Sequence, residues 1–222
     1  MYLSWDEQTV TDLSDANIAD MYEGGYVFTR KSKGLMQQTR SLRVNLAEFE
    51  LSSENKRVLK RVEGIEITAE SLPMEYYDWS IGKLAKDFYD RFGQNIFSAN
   101  KIKKLLTEPD KSNFNALLSY SSTQLGGKVA KLGYAICYAG ESFLHYSYPF
   151  YSLGYPTSKD MGLGMITMAI ILCQEQGDQH VYLGSASRPT DTYKLQFSGL
   201  EWFNGKVWRS DYGELKKILK NG

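Results

Sequence analysis

The sequence predicts an α/β fold with a mixed, mostly antiparallel sheet flanked by helices. Three strand-like segments follow one another closely, at residues 115–121, 128–139 and 141–150, and the last two join around a glycine as a hairpin. An apolar helix over about residues 161–176 and a strand at 180–183 come next. A run of antiparallel strands that leads into a strand–helix–strand unit is typical of such a sheet.

The other elements are predicted from cap residues, alternation and turn signals. In chain order they are an acidic helix at 14–23, a strand at 42–46, a basic helix capped by Ser52 or Ser53, a strand at 64–69, a helix at 75–92, a short helix capped by Ser98 or Asn100 and ended by Pro109, an irregular or helical stretch at 191–197, a strand pair at 201–209 and a last helix from Asp211.

Composition favours one soluble globular domain. The 222 residues are 42% apolar and 23% charged, and Lys plus Arg and Asp plus Glu both total 26. With no net charge, no overall field attracts the chain to nucleic acid or to an anionic membrane. The charges are segregated, however: residues 1–29 hold six acids and no Lys or Arg, whereas residues 30–61 hold nine basic residues and three acids. Any RNA site is therefore expected to be a local patch.

The cysteines and the apolar runs bear on compartment. Cys137 and Cys173 lie in apolar stretches and can form neither a disulfide framework nor a CxxC metal motif within this chain. The N-terminal residues lack the features of a signal peptide, and the longest apolar run, about residues 161–173, is too short to span a bilayer. We expect a soluble cytoplasmic protein without membrane contact or metal ion, and we take it to be a monomer.

The segment at residues 40–61 joins a strand to a basic helix. Leu42, Val44 and Leu46 alternate with polar residues, as in a half-buried strand. At about 100° per residue, one arc of the following helix is apolar and a separate arc holds Lys56, Arg57, Lys60 and Arg61. We therefore expect residues 1–62 to form an N-terminal extension, with an acidic helix and this basic strand–helix, before a main domain at 63–222.

A glycine-rich segment precedes the apolar helix. Lys159, Gly162 and Gly164 stand at spacings that resemble the signature of acetyl-CoA-dependent enzymes of the GNAT type. Backbone N–H groups at a helix start, together with the helix dipole, suit an anion such as a cofactor pyrophosphate. Alternatively, the glycines only permit close packing of the helix on the sheet.

Several motifs resemble those of one family. They are Arg43, Phe49, Arg57, Lys60 and Arg61 in the basic segment, an aromatic–Arg–hydrophobic stretch at 89–97, Leu163-Gly164, Tyr182-Leu183-Gly184, and Tyr193-Lys194 with Phe197. In this order the chain, from about residue 18 to 208, is similar to the arginyl-tRNA–protein transferases and the related leucyl-transferring enzymes. It departs from them in having no cysteine before Cys137, and in lacking the acidic residue of a Tyr-acidic-Pro motif at both Tyr148-Pro149 and Tyr155-Pro156. The chain resembles a divergent member without the N-terminal cysteine cluster.

The resemblance implies a GNAT-like acyltransferase fold and a transfer reaction. An amino acid, arginine or leucine-like, would pass from a charged tRNA to the N-terminal amine of a protein or peptide, with aminoacyl-tRNA as co-substrate and no soluble cofactor. An aminoacyl ester is activated, and an α-amine of pKa about 7.7 to 8.0 is partly neutral at cellular pH. Such a site works mainly by holding the two groups in place and by stabilising the oxyanion.

The resemblance also implies site residues. Tyr193 and Lys194 would be catalytic, with Asp191 orienting the acceptor amine. The implied substrate-binding residues are Lys159, Gly162, Leu163, Gly164 and Tyr182, and the tRNA-binding residues are Arg40, Arg43, Lys56, Arg57, Lys60 and Arg61. For each set the alternative is structural: strand-edge packing for the tyrosine and a solvated helix face for the cations. His145 is expected to be a hydrogen-bonded histidine of the core or surface, and a catalytic base is the other possibility.

Two further functions stay open. An acetyl-CoA-dependent N-acetyltransferase would explain the spacing of Lys159, Gly162 and Gly164. A catalytically silent relative that binds RNA or peptide would explain the basic segment without any chemistry.

Overall fold

The computed structural model of the chain describes residues 3–93, 96–123, 129–155 and 158–221. Its strands are β1 (Asp6–Thr9), β2 (Tyr26–Phe28), β3 (Leu35–Gln38), β4 (Ser41–Asn45), β5 (Ile65–Ser71), β6 (Ala116–Ser122), β7 (Ala130–Ala139), β8 (Phe143–Tyr151), β9 (His180–Ser185), β10 (Leu200–Phe203) and β11 (Trp208–Arg209). Its α-helices are α1 (Asp15–Glu23), α2 (Ser53–Arg61), α3 (Trp79–Asp90), α4 (Ala99–Thr107), α5 (Ser158–Gln176) and α6 (Tyr212–Asn221), and 3-10 helices occupy Pro109–Lys111 and Pro189–Gln196.

The main sheet has eight strands in the order β11-β10-β4-β9-β8-β7-β6-β5. Strands β5 to β8 follow one another as antiparallel neighbours. Helix α5 then crosses over to β9, which runs parallel to β8, and β4 lies between β9 and β10, antiparallel to both. This topology confirms the predicted fold class, a GNAT-like α/β fold with a mixed, mostly antiparallel sheet flanked by helices.

Apolar residues cover both faces of the main sheet. On one face α5 and α6 pack over residues such as Leu42, Val44 and Leu144, and α2 packs against α5. On the other face α1, α3 and α4 pack over residues such as Leu117 and Tyr182. None of the helices within the described ranges is both long enough and apolar enough to cross a membrane.

The first 62 residues are integrated into this architecture. Strand β4 lies inside the main sheet, where Val44 pairs with Val181 of β9 and with Leu200 of β10. Strands β1, β2 and β3 form a separate three-stranded sheet in the order β1-β3-β2. The strand that precedes the boundary expected at residue 62 is therefore central to the sheet.

Most helix boundaries follow the predicted caps. The side chain of Ser52 accepts a hydrogen bond from the Asn55 N–H and starts α2, and Ser98 does the same for Lys101 at the start of α4. Helix α3 is shorter than the predicted 75–92. Helix α5 begins at Ser158, before the predicted start at 161. Some predicted features lie partly outside the described residues. They are residue 128 of the predicted strand at 128–139, residues 94–95 of the aromatic–Arg–hydrophobic stretch and residue 156 of Tyr155-Pro156.

Candidate functional site

The parallel strands β8 and β9 stop pairing partway along their length. Their last pair is His145 with Tyr182, yet β8 continues to Tyr151 and β9 to Ser185. Each remains paired on its other side, β8 with β7 and β9 with β4. No other described strand lies between them, so their facing edges are available beyond the last pair. We call this space, between residues 146–151 of β8 and 183–185 of β9, the β8–β9 opening.

Lys194 lies at the β9 side of this opening. It comes from the 3-10 helix at Pro189–Gln196, and its Nζ donates to the carbonyl oxygens of Leu183 and Ser185 at 2.9 Å each. Both carbonyls lie past the last β8–β9 pair. Burial lowers the pKa of Lys194 to about 8, against the opposing influence of Asp191. The residue is therefore an ammonium group close to losing its proton near cellular pH.

Asp191 holds the loop that carries Lys194. Its carboxylate accepts hydrogen bonds from the backbone N–H groups of Ser187 at 3.0 Å and Arg188 at 2.9 Å, and its side chain is 3% exposed. Burial acts to raise the pKa of Asp191, but Lys194 and the two N–H groups outweigh it and lower the pKa. This geometry caps the 3-10 helix. It does not present the carboxylate to an acceptor amine, in contrast to the role implied by the resemblance.

Tyr193 lies beside Lys194, and Tyr146 of β8 lies close enough to Tyr193 for the two to interact electrostatically. The ring of Tyr193 is 48% exposed and its centroid lies 6.0 Å from Nζ of Lys194. The hydroxyl of Tyr146, from the β8 side, is buried and has no well-formed hydrogen bond among the described residues. Burial raises the pKa of Tyr146 well above its ordinary value, and Tyr120 and Tyr193 contribute. Tyr146 was not singled out from the sequence, although alternation along β8 places it on the opposite face from His145.

His145 belongs to the core, as expected. It is 2% exposed and its Nδ1 lies 2.8 Å from the Tyr22 hydroxyl. Burial lowers the pKa of His145 to about 3, with the charge of Lys194 acting in the same direction. The charge of Lys194 on the β9 side therefore acts on His145 of β8. His145 Nε2 also lies 3.8 Å from the position that a Cβ on Gly184 of β9 would take. His145 is therefore neutral and serves as a hydrogen-bonded core residue.

Tyr182 is also a core residue. It is 3% exposed, its hydroxyl accepts a hydrogen bond from Arg43 at 3.3 Å, and its ring packs edge-on against Tyr22 and Trp208. Burial raises its pKa to about 12. These contacts occupy the side chain, so the structure does not place it for substrate binding.

The glycines that precede the apolar region of α5 lie inside the helix. Because α5 begins at Ser158, the N–H groups of Gly162 and Gly164 take part in ordinary helical hydrogen bonds. A Cβ on Gly164 would lie 2.8 Å from Cγ1 of Val62, and one on Gly162 would lie 3.2 Å from the Tyr151 hydroxyl. Leu163 packs on the core. The packing interpretation therefore fits, and oxyanion donation by the Leu163–Gly164 backbone does not, because those N–H groups are used within the helix.

The first N–H groups of a helix have no partner within that helix, and in α5 they belong to residues 158–160. A Cβ on Gly162 would lie 3.2 Å from the Tyr151 hydroxyl, so the first turns of α5 lie beside the end of β8. Lys159 is exposed there.

The basic face of α2 lies against this end of α5. Lys56, Arg57, Lys60 and Arg61 are all exposed. Arg61 bonds to Asp160 of α5 at 2.9 Å, and Arg57 bonds to Asp160 at 3.5 Å and to Glu54. The side chains of Arg61 and Arg57 lower the pKa of Asp160. An exposed cationic surface, partly neutralised by two carboxylates, thus borders the opening.

Arg40 and Arg43 are placed differently from the cations of α2. The side chain of Arg43 is 8% exposed, pairs with Glu23 and Glu201, and lies 4.1 Å from the Trp208 ring centroid. Arg40 is half-buried and donates to the Ala186 carbonyl at 3.2 Å. Arg43 therefore stabilises the interior between β4, β9 and β10, and we leave both residues out of the candidate RNA surface.

Two surface depressions lie elsewhere. One, of about 570 Å³, is lined by Tyr76, Tyr77, Asp78, Trp79 and Lys103. Another, of about 470 Å³, lies at the opposite end of α5 and includes Gln174, Asp178 and His180. Neither depression coincides with the β8–β9 opening. Strand topology and the polar groups at its edges define that opening, which is a narrow space between two strands.

No family model matches the chain, and no curated protein matches it. Solved structures do. They include L-PGS from Bacillus licheniformis (14% identity, TM-score 0.45, 92% of this chain and 70% of that chain), FemX (10%, 0.46, 77% and 60%), and a GCN5-related glucosamine N-acetyltransferase region of a fungal multi-domain GH3 β-N-acetylglucosaminidase (11%, 0.48, 91% and 23%). The chain spans less than two thirds of the last two proteins. At these identities and TM-scores the likenesses assign no activity to it.

Proposed function

We propose that the chain is an aminoacyl-tRNA-dependent transferase. It moves an amino acid, arginine or leucine-like, from a charged tRNA to the N-terminal amine of a protein or peptide. One observation carries this proposal: Lys194 lies at the β8–β9 opening with its ammonium bonded to the strand edge, while the exposed cations of α2 border the far end of the same opening. The motif resemblance described above points in the same direction.

Lys194 suits the stabilisation of an oxyanion. A lysine ammonium has three N–H bonds, and two are used on Leu183 and Ser185, which leaves the third for a ligand. In the reaction, the acceptor nitrogen attacks the ester carbonyl carbon, and a C–N bond forms as the bond from carbon to the ribose oxygen breaks. The proton lost by the amine ends on that ribose oxygen. The third N–H of Lys194 would donate to the carbonyl oxygen while that atom is negatively charged.

The free edge of β8 suits the acceptor. Beyond His145 the backbone groups on the side of β8 away from β7 have no strand partner among the described residues, although the Pro149 carbonyl of this segment already accepts from the Tyr89 hydroxyl. An extended peptide can pair with such an edge through main-chain hydrogen bonds, which bind it without fixing its side chains. An N-terminal segment bound there would bring its amine toward Lys194, and Tyr193 would contact either substrate at the mouth of the opening.

The α2 surface suits the RNA. Lys56, Arg57, Lys60 and Arg61 are within reach of phosphates that lie outside the opening, and each phosphate neutralised releases counterions. Affinity should therefore fall steeply as salt rises. The 3′ end of the tRNA would pass from this surface into the opening, past the start of α5.

The decisive experiment combines the purified full-length chain, a mixture of charged tRNAs and peptides with different N-terminal residues. A mass gain of one amino acid residue on a peptide, detected by mass spectrometry, identifies donor and acceptor together. Lys194→Met should abolish the gain, whereas Lys206→Met, an exposed lysine in the turn between β10 and β11, is the matched control and should retain it. If no peptide gains mass in any combination, the transferase proposal is wrong and a silent binding protein becomes the better interpretation.

A second candidate is an acetyl-CoA-dependent N-acetyltransferase. The observation that favours it is the start of α5 at residues 158–160, because the N–H groups of a helix start can bind a pyrophosphate. Asp160 opposes it, because this carboxylate occupies the first turn of the same helix and already pairs with Arg61. Calorimetry with acetyl-CoA separates the two candidates: low-micromolar binding favours the acetyltransferase, and its absence favours the tRNA-dependent enzyme.

A further inference from the structure

A cluster of exposed aromatic rings lies just before α3. Tyr76 is 82% exposed and Trp79 is 71% exposed, and both line the depression of about 570 Å³ together with Tyr77, Asp78 and Lys103. We call these five residues the aromatic patch. Two large rings held in water at neighbouring positions contribute little to the core, and such exposure is typical of a recognition surface.

The patch is held in place by its own less exposed members. Asp78 caps α3 by accepting a hydrogen bond from the Ser80 N–H at 2.8 Å. The Tyr77 hydroxyl lies 2.3 Å from the position that a Cβ on Gly82 would take, so a glycine at 82 allows this ring to lie against α3. Burial raises the pKa of Tyr77 in that position. With Tyr77 turned inward, Tyr76 and Trp79 on either side project outward.

Lysines of α4 border the patch, while the acids beside it are its own member Asp78 and the exposed Glu75. Helix α4 carries Lys101, Lys103 and Lys104 and no acidic residue between Ala99 and Thr107. The Lys103 ammonium lies 5.9 Å from the Tyr77 ring centroid. Burial lowers the pKa of Lys101, and the positive charges of Arg30 and Lys104 add to this effect. The lysines attract an anionic group that lies against α4, and the carboxylate of Asp78 opposes that attraction.

The patch and the β8–β9 opening lie at opposite ends of α3. At the C-terminal end of the helix, Phe88 packs on Tyr151 with ring centroids 4.7 Å apart, and the Tyr89 hydroxyl donates to the Pro149 carbonyl at 2.9 Å. Trp79 is the first residue of α3. At about 1.5 Å per residue, the two ends are about 16 Å apart. The patch is therefore a surface of its own.

We propose that the aromatic patch binds an unpaired stretch of RNA. Its bases stack on Tyr76 and Trp79, and its phosphates lie against Lys103 and the neighbouring lysines of α4. Exposed rings interleaved with cations are the combination that holds single strands, because every base has a face to stack and every linkage has a negative charge. The proposal goes beyond the proposed function, since binding at the patch requires neither a charged tRNA nor acyl transfer.

The test measures binding of an uncharged, unstructured RNA of about ten nucleotides to the full-length chain by fluorescence anisotropy. We expect the single strand to bind more tightly than a duplex of the same length. Trp79→Ala and Tyr76→Ala should each weaken the single-strand Kd by about 5- to 100-fold, the loss of one stacked base. Lys103→Ala should reduce the slope of log K against log salt by about 0.7.

Matched controls separate stacking from folding. Trp79→Phe and Tyr76→Phe keep a ring and should keep most of the affinity. Trp5, which is 40% exposed and packs near Phe203, supplies a control on another surface, so Trp5→Ala should leave the Kd unchanged. Because Tyr76 and Trp79 are largely exposed, the alanine variants should melt at the wild-type temperature.

Three results would overturn the proposal. The first is an unchanged Kd in both alanine variants, and the second is equal binding of single strand and duplex. The third is binding of the wild-type protein to anionic vesicles or to peptides but not to RNA. The oligonucleotide carries no amino acid, so these results are independent of the peptide mass assay and leave the transferase proposal to its own test.

Discussion

The hydroxyl of Tyr22 lies 2.8 Å from Nδ1 of His145 and joins α1 to β8 within the core. The Phe28 N–H donates to the same hydroxyl at 3.5 Å. The Tyr22 hydroxyl can accept from a protonated Nδ1 or donate to an unprotonated one, so this contact is compatible with either tautomer of the ring. The neutrality of His145 follows from its burial and from the charge of Lys194, which together lower its pKa.

Acid should destabilise the protein partly through His145. The pKa of His145 is about 3 in the folded chain and about 6.5 in an unfolded chain. Between these values the unfolded state binds more protons, so this residue contributes stability above pH about 6.5 that is lost as the pH falls toward 3. Thermal melts at pH 7 and pH 5 should show a smaller loss for His145→Gln than for the wild type. Equal losses in the two proteins would contradict this assignment.

The pH dependence of transfer should report Lys194. The rate should rise as the acceptor amine loses its proton near pH 7.7 to 8.0, and fall as Lys194 loses its own proton at about pH 8. The profile is then a bell centred near pH 8. Lys194→Met should reduce kcat by about 100- to 1,000-fold, the loss of one oxyanion donor. Stopped-time mass spectrometry across a pH series measures both effects.

Lys194→Arg provides the control for this interpretation. Arginine stays protonated to a pKa above about 12, so the falling side of the bell should move out of the measured range. If Lys194 only supports the carbonyls of β9, the arginine variant will alter thermal stability and leave the shape of the profile unchanged.

Gly164 should tolerate no side chain while Val62 is present. A Cβ at 164 would lie 2.8 and 2.9 Å from the two γ-carbons of Val62, so Gly164→Ala should cost about 1 to 3 kcal/mol of unfolding free energy. Denaturant titration measures this cost. The double variant with Val62→Ala should cost less than the sum of the single variants, because the alanine at 62 vacates the space. Additive costs would show that the two residues do not meet.

Arg43 should contribute to the stability of the protein and not to its binding of RNA. Removal of its guanidinium deletes hydrogen bonds to Glu23 and Glu201, whose carboxylates stay partly in water, so Arg43→Met should lower the free energy of unfolding by about 1.5 to 3 kcal/mol. The fraction that remains folded should bind tRNA with the wild-type Kd. If the variant has normal stability but binds tRNA more weakly, Arg43 contributes to RNA binding and this prediction is wrong.

The cations of α2 should behave in the opposite way. Lys56→Ala and Lys60→Ala remove exposed side chains, so thermal stability should change little. Each should reduce the salt dependence of tRNA affinity by about 0.9 in log–log slope if it contacts duplex phosphate. Filter binding at several salt concentrations provides the measurement, with Lys216→Ala on α6 as the exposed control. Unchanged slopes in both variants would exclude this face.

Local signals in the sequence predicted most elements of the main sheet. Ser52 and Ser98 cap helices where expected, and the alternation around Val44 marked β4. The alternation also misled in one respect. It showed that Arg43 and Leu42 face opposite sides of a sheet, but helices cover both sides here, so the polar position is buried as well. Strands β1 to β3 are only three or four residues long, which is too short for a periodicity to distinguish them from loops.

The candidate site depended on features that no local pattern contains. The β8–β9 opening exists because two strands far apart in sequence stop pairing after His145 and Tyr182. The glycine spacing suggested a loop. Gly164 instead lies inside α5, where the absence of a side chain lets the helix pack closely against Val62. Tyr193-Lys194 was found through family motifs, and its location follows from the bonds to Leu183 and Ser185.

The position of β4 also determines when the main sheet can form during synthesis on the ribosome. Its neighbours, β9 and β10, begin at His180 and Leu200, so an early strand waits for partners made more than a hundred residues later. Such long-range pairing slows folding and leaves strand edges exposed to neighbouring chains in the meantime. The segment that forms β4, with its apolar Leu42 and Val44, therefore stays without a sheet partner until residues 180–203 have been synthesised.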